Sequence, residues 1–434
     1  MADTPTAQAS AQAPELLQAL PLRKNFAWTL TGNVVYAGCQ WGMLMAIAKL
    51  GTPAMLGQFA LGLAIAGPVF IMAQLHLRAV QATDARHEYL FGHYFALRIL
   101  GTAAALVLVA AIAYFSDYRR QTALIVLVVG LAKAAESLSD VIYGLWQKRE
   151  RLDQIAVAMM GRGVGSLIAL AATLYLTGSI VLAVGAMALW WALWLATYER
   201  GVATRMLAAG FSGERFRPAW ELDRLKQLAW LVLPLGGVRL LMSLNPNLPR
   251  YFVEHHLGET ALGYFAALAY ITVAGNTVTA ALGQSAAPRL ARYYISDRRA
   301  FVRLLLKMVL LAASLGAGGV VVAVVAGRPL LTLIYRADYA QHAHVLTWLM
   351  VAGAISYVAS MLGYGMTAAR KFRVQVPLNV GVTGVTALAC WLLVPRFGLQ
   401  GAAYALLATA ITSCASKAWV TSVALRSQTH PSQG

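Results

Sequence analysis

Charged residues are scarce in this chain. Only 12% of its 434 residues are Asp, Glu, Lys or Arg, whereas 59% are hydrophobic. A typical soluble domain has about 25% charged and about 45–50% apolar residues. So few charges cannot cover the surface of a water-soluble protein of this length, which excludes a soluble globular fold.

Cysteines are few, and the common catalytic motifs are missing. Cys39, Cys390 and Cys414 lie inside apolar blocks without CxxC or Cys/His spacing, so we interpret them as small buried hydrophobic residues. The sequence contains no G-x-x-x-x-G-K-[ST], HExxH or GxSxG motif, which excludes the nucleotide and hydrolytic sites that these motifs form. We therefore predict no enzyme activity, no cofactor and no metal site.

Acidic residues are outnumbered by basic ones, 17 to 35, for a formal net charge of +18. The basic residues lie between hydrophobic blocks, and no segment combines a basic stripe with aromatic residues, so we predict no nucleic-acid partner. The longer loops carry most of the positive charge, which is typical of the cytoplasmic side of a membrane protein. Arg162 is counted with this cytoplasmic group, and Arg98 is interpreted as an interfacial side chain that could instead border a central cavity. Both termini are then cytoplasmic.

The sequence is rich in long apolar blocks. About 20 apolar residues cross about 30 Å of hydrocarbon as a helix, and in lipid an open chain must be helical to satisfy its backbone hydrogen bonds. We predict an all-α, polytopic membrane protein with twelve transmembrane helices, an even number that agrees with both termini on one side. The predicted spans are 27–49, 55–75, 94–115, 121–145, 155–177, 179–199, 227–247, 260–285, 303–326, 344–367, 374–395 and 399–423.

The two halves of the chain share short patterns. Lys24–Trp28 and Lys226–Trp230 each open a span, and the Leu-Gly pairs at 50–51 and 56–57 recur at 257–258 and 262–263. Chance recurrence is the alternative to a repeat, but two six-helix lobes around a central cavity are a common transporter plan. We predict a disordered cytosolic tail, an N-terminal lobe, a cytoplasmic linker, a C-terminal lobe and a second cytosolic tail over residues 1–22, 23–200, 201–226, 227–425 and 426–434.

The fourth span carries a polar stripe at helical spacing. An ionisable residue at membrane depth costs at least about 2.5–3.5 kcal/mol, so it usually faces a partner or water. Either the stripe lines a wet pathway, in which Glu136 or Asp140 takes a proton or cation, or Lys133 and Glu136 form a local pair. Steps of three and four residues place five side chains on this face: Lys133, Glu136, Asp140, Tyr143 and Gln147.

The seventh span suggests anion binding. Arg239 lies near its middle, and Arg250 follows Pro246 and Pro249, which we expect to bend or end the helix. Arginine grips phosphate oxygens with two donors, although Arg250 could instead reach the headgroups at the outer interface. Neutral polar residues in other spans are further candidates for contact with a substrate: Asn33, Gln40 and Asn276.

Four stretches carry a family resemblance: Asn25–Trp41, Glu136–Gly144, Pro249–Phe265 and Gly398–Tyr404. Together they resemble the Wzx-type oligosaccharide flippases of the multidrug/oligosaccharidyl-lipid/polysaccharide exporter superfamily. The resemblance implies translocation of an undecaprenyl-pyrophosphate oligosaccharide from the cytoplasmic to the periplasmic leaflet of a bacterial inner membrane. Partners would then be membrane lipids and the polysaccharide polymerase and glycosyltransferases of the pathway.

Two other functions remain open. A cation-coupled multidrug-type antiporter would use Glu136 and Asp140 as an acidic cavity. A membrane polysaccharide polymerase is less favoured, because such enzymes usually need a large external loop and the predicted outer loops are short.

Overall fold

The fold is built from helices. A computed structural model describes residues 19–84, 88–209, 215–370 and 372–426, and no β-strand occurs within these ranges. The helices are α1 (Leu22–Leu50), α2 (Pro53–Ala73), α3 (Leu77–Thr83), α4 (Phe91–Phe115), α5 (Arg120–Lys148), α6 (Leu152–Thr177), α7 (Ile180–Trp194), α8 (Arg200–Ala209), α9 (Leu222–Ser296), α10 (Arg298–Ile334), α11 (Ala337–Ala340), α12 (Ala343–Ala368) and α13 (Phe372–Arg426). A π-helical turn, Leu195–Glu199, joins α7 to α8.

Two of these helices are each interrupted once by glycine. Gly258 divides α9 with φ 79°, and Gly398 divides α13 with φ 59°, a conformation that glycine adopts without steric cost. Both glycines belong to turns that the sequence predicts. Eight stretches of the described helices have the length and apolarity of membrane spans, which confirms a polytopic all-α membrane protein. The number twelve stays a prediction.

The described contacts divide the chain into two compact units. The first contains the residues up to Gly51 together with Gly62–Ser243, and the second contains Thr52–Leu61 together with the residues from Leu244 onward. The predicted tail, lobe and linker boundaries stay a prediction. Parts of the two tails and of the linker, namely residues 1–18, 210–214 and 427–434, lie outside the described residues.

Two glycines from the predicted repeat meet inside the second unit. A Cβ atom on Gly57 would collide with the carbonyl oxygen of Glu259, and one on Gly263 would collide with the carbonyl oxygen of Pro53. The helices thus cross so closely that only glycine fits on either side. Beside this crossing, the Gln58 amide donates to the Glu259 carboxylate at 2.9 Å. We call this contact the glycine crossing.

The connection after α3 is fixed by one carboxylate. Asp84 accepts the backbone N–H groups of Glu88 and Tyr89 at 3.1 and 3.3 Å and lies 3.5 Å from the Lys148 ammonium group. Burial opposes ionisation of Asp84, but these donors and the Lys148 charge together hold its pKa below the ordinary value. The loop is therefore tied to the end of α5 by an ionised side chain.

Candidate functional site

Helix α5 carries the polar stripe that the sequence predicts. Lys133, Glu136 and Asp140 are each about one fifth exposed, at 23%, 23% and 22% of the side chain, in a helix whose other faces are largely apolar. The structure distributes the stripe between two clusters of charge, one around Glu136 and one around Asp140. Both clusters lie within the first unit.

The first cluster, which we call the central cluster, joins two cations to one carboxylate. The Lys133 ammonium nitrogen lies 2.6 Å from one oxygen of Glu136, and an Arg162 guanidinium nitrogen lies 4.0 Å from the other. The local Lys133–Glu136 pair therefore forms, but Glu136 also faces α6. With Glu136 ionised, these three residues carry one net positive charge.

Arg162 is the most deeply placed cation of this cluster. Its side chain is 4% exposed, and it lies about 15 Å along α6 from the first residue, near the depth of a bilayer centre. Its guanidinium carbon lies 5.1 to 5.6 Å from three ring centroids, those of Tyr36, Tyr143 and Trp191. Among the described residues, its Nε and one terminal nitrogen have no hydrogen-bond partner, so aromatic faces replace part of the lost hydration.

A second buried carboxylate lies close to this cluster. Glu199 is fully buried at the last position of the π-helical turn, and the Tyr143 hydroxyl donates to it at 2.9 Å. A π-helical turn inside an α-helix is rare and is frequently found at functional sites. Tyr143 thus connects the stripe on α5 to a carboxylate on the helix that follows α6.

The second cluster holds three arginines and one aspartate around a cavity. A terminal nitrogen of Arg98 lies 2.8 Å from one Asp140 oxygen, and one of Arg78 lies 3.7 Å from the other. The Arg78 Nε atom also donates to Gln147 at 2.9 Å. Arg98 is completely buried, whereas Arg78 is one third exposed. Asp140 therefore forms a close, buried ion pair with Arg98 and a longer, partly exposed one with Arg78.

Arg239 completes this cavity, which we call the basic cavity. It has a volume of about 290 Å³ and lies within the first unit. The Arg239 side chain is exposed at its wall. Asp140 is the only carboxylate among the described lining residues, which are Ile71, Gln74, His76, Arg78, Ala79, Asp140, Gln147 and Arg239. The excess of guanidinium groups makes it suited to an anion.

The backbone beside the basic cavity is strained. Leu75 and His76, between α2 and α3, have φ angles of 51° and 57°, which is the left-handed region that non-glycine residues rarely adopt. Such residues persist only where the surrounding structure holds them, and they cluster at functional sites. This turn directs His76 and Arg78 toward the same space as Arg239.

The remaining predicted residues are more dispersed. Gln40 contacts the Tyr36 hydroxyl beside the central cluster, whereas Asn33 is exposed on α1. In the second unit, Arg250 donates to Asn247 at 3.1 Å, and Asn276 is exposed. The structure thus brings Lys133 and Glu136 together, and Arg239 and Asp140 together. It places Gln40 beside the central cluster and does not gather Asn33, Arg250 and Asn276 around either cluster.

Three residues of these clusters lie outside the predicted site. Arg98 is expected at the interface or beside a cavity, and the structure buries its side chain against Asp140. Arg162, which the sequence groups with the cytoplasmic residues, is buried within α6. The sequence does not single out Glu199. Arg162 does carry a signal in the sequence, because it stands ten residues inside an apolar helix, too deep for its side chain to reach the headgroups.

Metal binding has no support from the described residues. Within those ranges, no group of three or more His, Cys, Asp or Glu side chains is arranged to hold a metal ion. The three cysteines are free thiols, two of them buried and Cys414 half-buried.

Comparison with known proteins identifies the family. A model of the polysaccharide biosynthesis protein family matches residues 46–344. The capsular polysaccharide biosynthesis protein CapF of Staphylococcus aureus is 26% identical over 381 residues, which cover 88% of this chain and 94% of CapF.

Solved structures show the same fold. An inward-facing multidrug resistance MATE transporter of the MOP superfamily aligns with a TM-score of 0.64 at 13% identity, over 93% of this chain and 100% of its own. The lipid II flippase MurJ, in an inward closed conformation, aligns with a TM-score of 0.67 at 10% identity, over 93% and 87%. The Vibrio cholerae MATE transporter VcmN, in its bent form, gives a TM-score of 0.56 at 17% identity, over 97% and 99%. The family model spans more than half of the chain, and the protein therefore belongs to the polysaccharide biosynthesis protein family and has the fold of MOP superfamily transporters.

Proposed function

We propose that this protein translocates a lipid-linked oligosaccharide, of the undecaprenyl-pyrophosphate type, from the cytoplasmic to the periplasmic leaflet of a bacterial inner membrane. The observation that carries the proposal is the basic cavity, which is lined by two arginines, Arg78 and Arg239, and one aspartate, Asp140, in a membrane protein of the polysaccharide biosynthesis family. The names of two relatives support it, because one acts in capsular polysaccharide biosynthesis and another is a lipid II flippase.

The arginines of the basic cavity have separable roles in this proposal. Arg98 stays paired with Asp140, because it is buried and the pair is short at 2.8 Å. Arg78 holds Asp140 only at 3.7 Å, and Arg239 is exposed. Pyrophosphate oxygens would therefore bind Arg78 and Arg239 through charge-assisted hydrogen bonds, while the Arg98–Asp140 pair positions the cavity wall.

The physical problem of flipping concerns the head of the substrate. An isoprenoid tail loses nothing by staying in hydrocarbon, whereas a charged sugar-phosphate head is costly to move without polar partners. Lys133, Arg250, Asn33, Gln40 and Asn276 are the further side chains that we propose to contact the phosphates or the sugar.

Ion coupling is proposed for Glu136 and Asp140. Each carboxylate balances two cations, Lys133 and Arg162 for the first and Arg98 and Arg78 for the second. Protonating either one would leave its cations unbalanced and favour the entry of an anionic group. Proton binding would thus be linked to binding of the pyrophosphate.

A multidrug-type antiporter is the second candidate, because MATE transporters share the fold. A cationic drug would need an acidic cavity, however, and the basic cavity is lined by two arginines and one carboxylate, which the buried Arg98 also pairs. This charge favours an anionic substrate. We also propose that both termini are cytoplasmic and that the pathway's polymerase and glycosyltransferases are its partners, without catalysis by this chain.

The proposal is tested by reconstitution in liposomes. The substrate is a fluorescent pyrophosphate-linked oligosaccharide on an isoprenoid lipid, and a membrane-impermeant quencher reports the leaflet of its head. We expect wild-type protein to move the head across the bilayer, Arg78→Ala and Arg239→Ala to slow this step, and Arg239→Lys to retain part of it. Arg396→Ala, an exposed arginine on α13, is the matched control.

The outcome also separates the two candidates. If both arginine variants flip as fast as wild type, the basic cavity does not handle the pyrophosphate. Export of cationic dyes by the same proteoliposomes, without movement of the fluorescent lipid, would establish the antiporter instead.

A further inference from the structure

The first unit has a large apolar groove on a face that the proposed function does not use. The groove lies between α4, α5 and the α7–α8 helix and has a volume of about 830 Å³, within the range of about 300–1,000 Å³ that is usual for small-molecule sites. On α5 it is lined by Leu131, Ala135 and Leu138, which alternate along the helix with Lys133, Glu136 and Asp140. The groove is therefore on the other side of α5 from the polar stripe.

Small residues on α7 keep the groove open. Gly185, Ala188 and Ala192 line it at steps of three and four residues, so they form one wall. A Cβ atom added to Gly185 would have no atom within 4 Å. Leucine side chains at the rim, Leu131 and Leu189, are 56% and 60% exposed. An apolar chain lying between these walls would cover them.

One end of the groove carries a positive charge. Arg200, the first residue of α8, lines the groove and is exposed. In the part of the chain that is described, no carboxylate lies within ion-pair distance of it. Phe216 closes the same end, with its ring centroid 4.9 Å from that of Phe95. Two exposed arginines, Arg215 and Arg217, flank Phe216 in the chain.

We infer that this groove binds an anionic phospholipid, with one acyl chain between the helices and the phosphate headgroup on Arg200. The apolar walls belong to helices long and apolar enough to span the membrane, so the chain would enter directly from the leaflet. The unpaired arginine at the end of the groove favours a headgroup with net negative charge. Because the groove faces away from the basic cavity, this binding does not depend on the flippase proposal.

Lipid binding by the purified, delipidated protein tests the inference. Native mass spectrometry counts lipid adducts during separate titrations with phosphatidylglycerol, phosphatidylcholine and an isoprenyl phosphate. We expect phosphatidylglycerol to bind more tightly. Arg200→Ala should weaken its binding about fivefold, which is the factor expected for one basic residue near anionic headgroups. Gly185→Leu should fill the groove and remove the adduct.

Two matched variants control for unrelated effects. Gly381→Leu places the same side chain at an exposed helical glycine with open space in the second unit, and Arg205→Ala removes an exposed arginine from the next turn of α8. Both should bind phosphatidylglycerol as wild type does. If Gly185→Leu does not fold, the exposed Arg200→Ala still decides the headgroup.

Four results would overturn the inference. Two are equal binding of phosphatidylglycerol by wild type and Gly185→Leu, and equal binding by wild type and Arg200→Ala. The others are equal binding of the two phospholipids by wild type, and preferential binding of an isoprenyl phosphate. The last result would assign the groove to the transported lipid rather than to a membrane phospholipid.

Discussion

Replacing Asp140 with alanine would leave the Arg98 guanidinium buried without its ion-pair partner. The Arg98 side chain is 0% exposed, and its only hydrogen bond among the described residues is the 2.8 Å contact with Asp140, because its Nε and other terminal nitrogen have no partner. Removing one member of a buried ion pair typically costs about 3–5 kcal/mol. We therefore expect Asp140→Ala to lower the free energy of unfolding by an amount in that range.

The neighbouring cation provides an internal comparison. Arg78 contacts the same carboxylate at 3.7 Å but is 34% exposed, so Arg78→Ala should cost about 0–1 kcal/mol, as exposed pairs do. The double variant Asp140→Ala/Arg98→Met has no buried charge without a partner. It should recover most of the stability that Asp140→Ala loses, because an apolar side chain of similar length replaces the arginine.

Unfolding in mixed micelles, followed by circular dichroism during titration with a denaturing detergent, measures these differences. If Asp140→Ala is no less stable than Arg78→Ala, then Arg98 does not depend on Asp140. If the double variant is as unstable as Asp140→Ala, the lost stability does not come from an unpaired charge on Arg98. Either result would refute the positioning role of the pair.

Three further predictions concern other contacts. Gly57→Ala should destabilise the protein by about 1–3 kcal/mol, because the new methyl group meets the backbone of the other helix at the glycine crossing. Gly67→Ala lies on the same helix but faces open space, so it should not change stability in the same unfolding assay. The pKa of Asp84 is lowered in the folded protein, so wild type should be more stable than Asp84→Asn at neutral pH. Unfolding free energies of the two proteins should converge as the pH falls below about 4, where Asp84 becomes protonated. Tyr143→Phe should cost about 1–3 kcal/mol by removing the hydroxyl donor of buried Glu199, and a double-mutant cycle with Glu199→Leu that shows no coupling would contradict this.

The sequence predicts the helices well because apolar length is a local property. The Leu257-Gly258 pair predicts one turn, and Gly398 lies between the predicted spans 374–395 and 399–423. The steps between Lys133 and Gln147 predict one polar face. A helical period says which side chains share a face, but it does not say which helix that face meets. The partners of Glu136 and Asp140 on α6 and α4, Arg162 and Arg98, are fixed by tertiary packing.

The basic cavity was less accessible from sequence for a related reason. Its wall depends on a turn at Leu75 and His76, where two left-handed residues occur without glycine or asparagine. No local pattern signals such a turn, since it is imposed by the surrounding packing. The sequence singles out Arg239 as a candidate, whereas it gives no signal that Arg78 and His76 line the same cavity.

The glycine crossing has an implication for the ancestry of the fold. Gly57 and Gly263 occupy equivalent positions in the two sequence halves, and each fits against the partner's backbone in the same way. If an ancestor of half the length formed a symmetric homodimer, a single glycine position would have provided both sides of the contact. In a duplicated and fused chain the two glycine positions would be encoded separately, yet neither could change freely, because a side chain at either one would collide with the helix opposite.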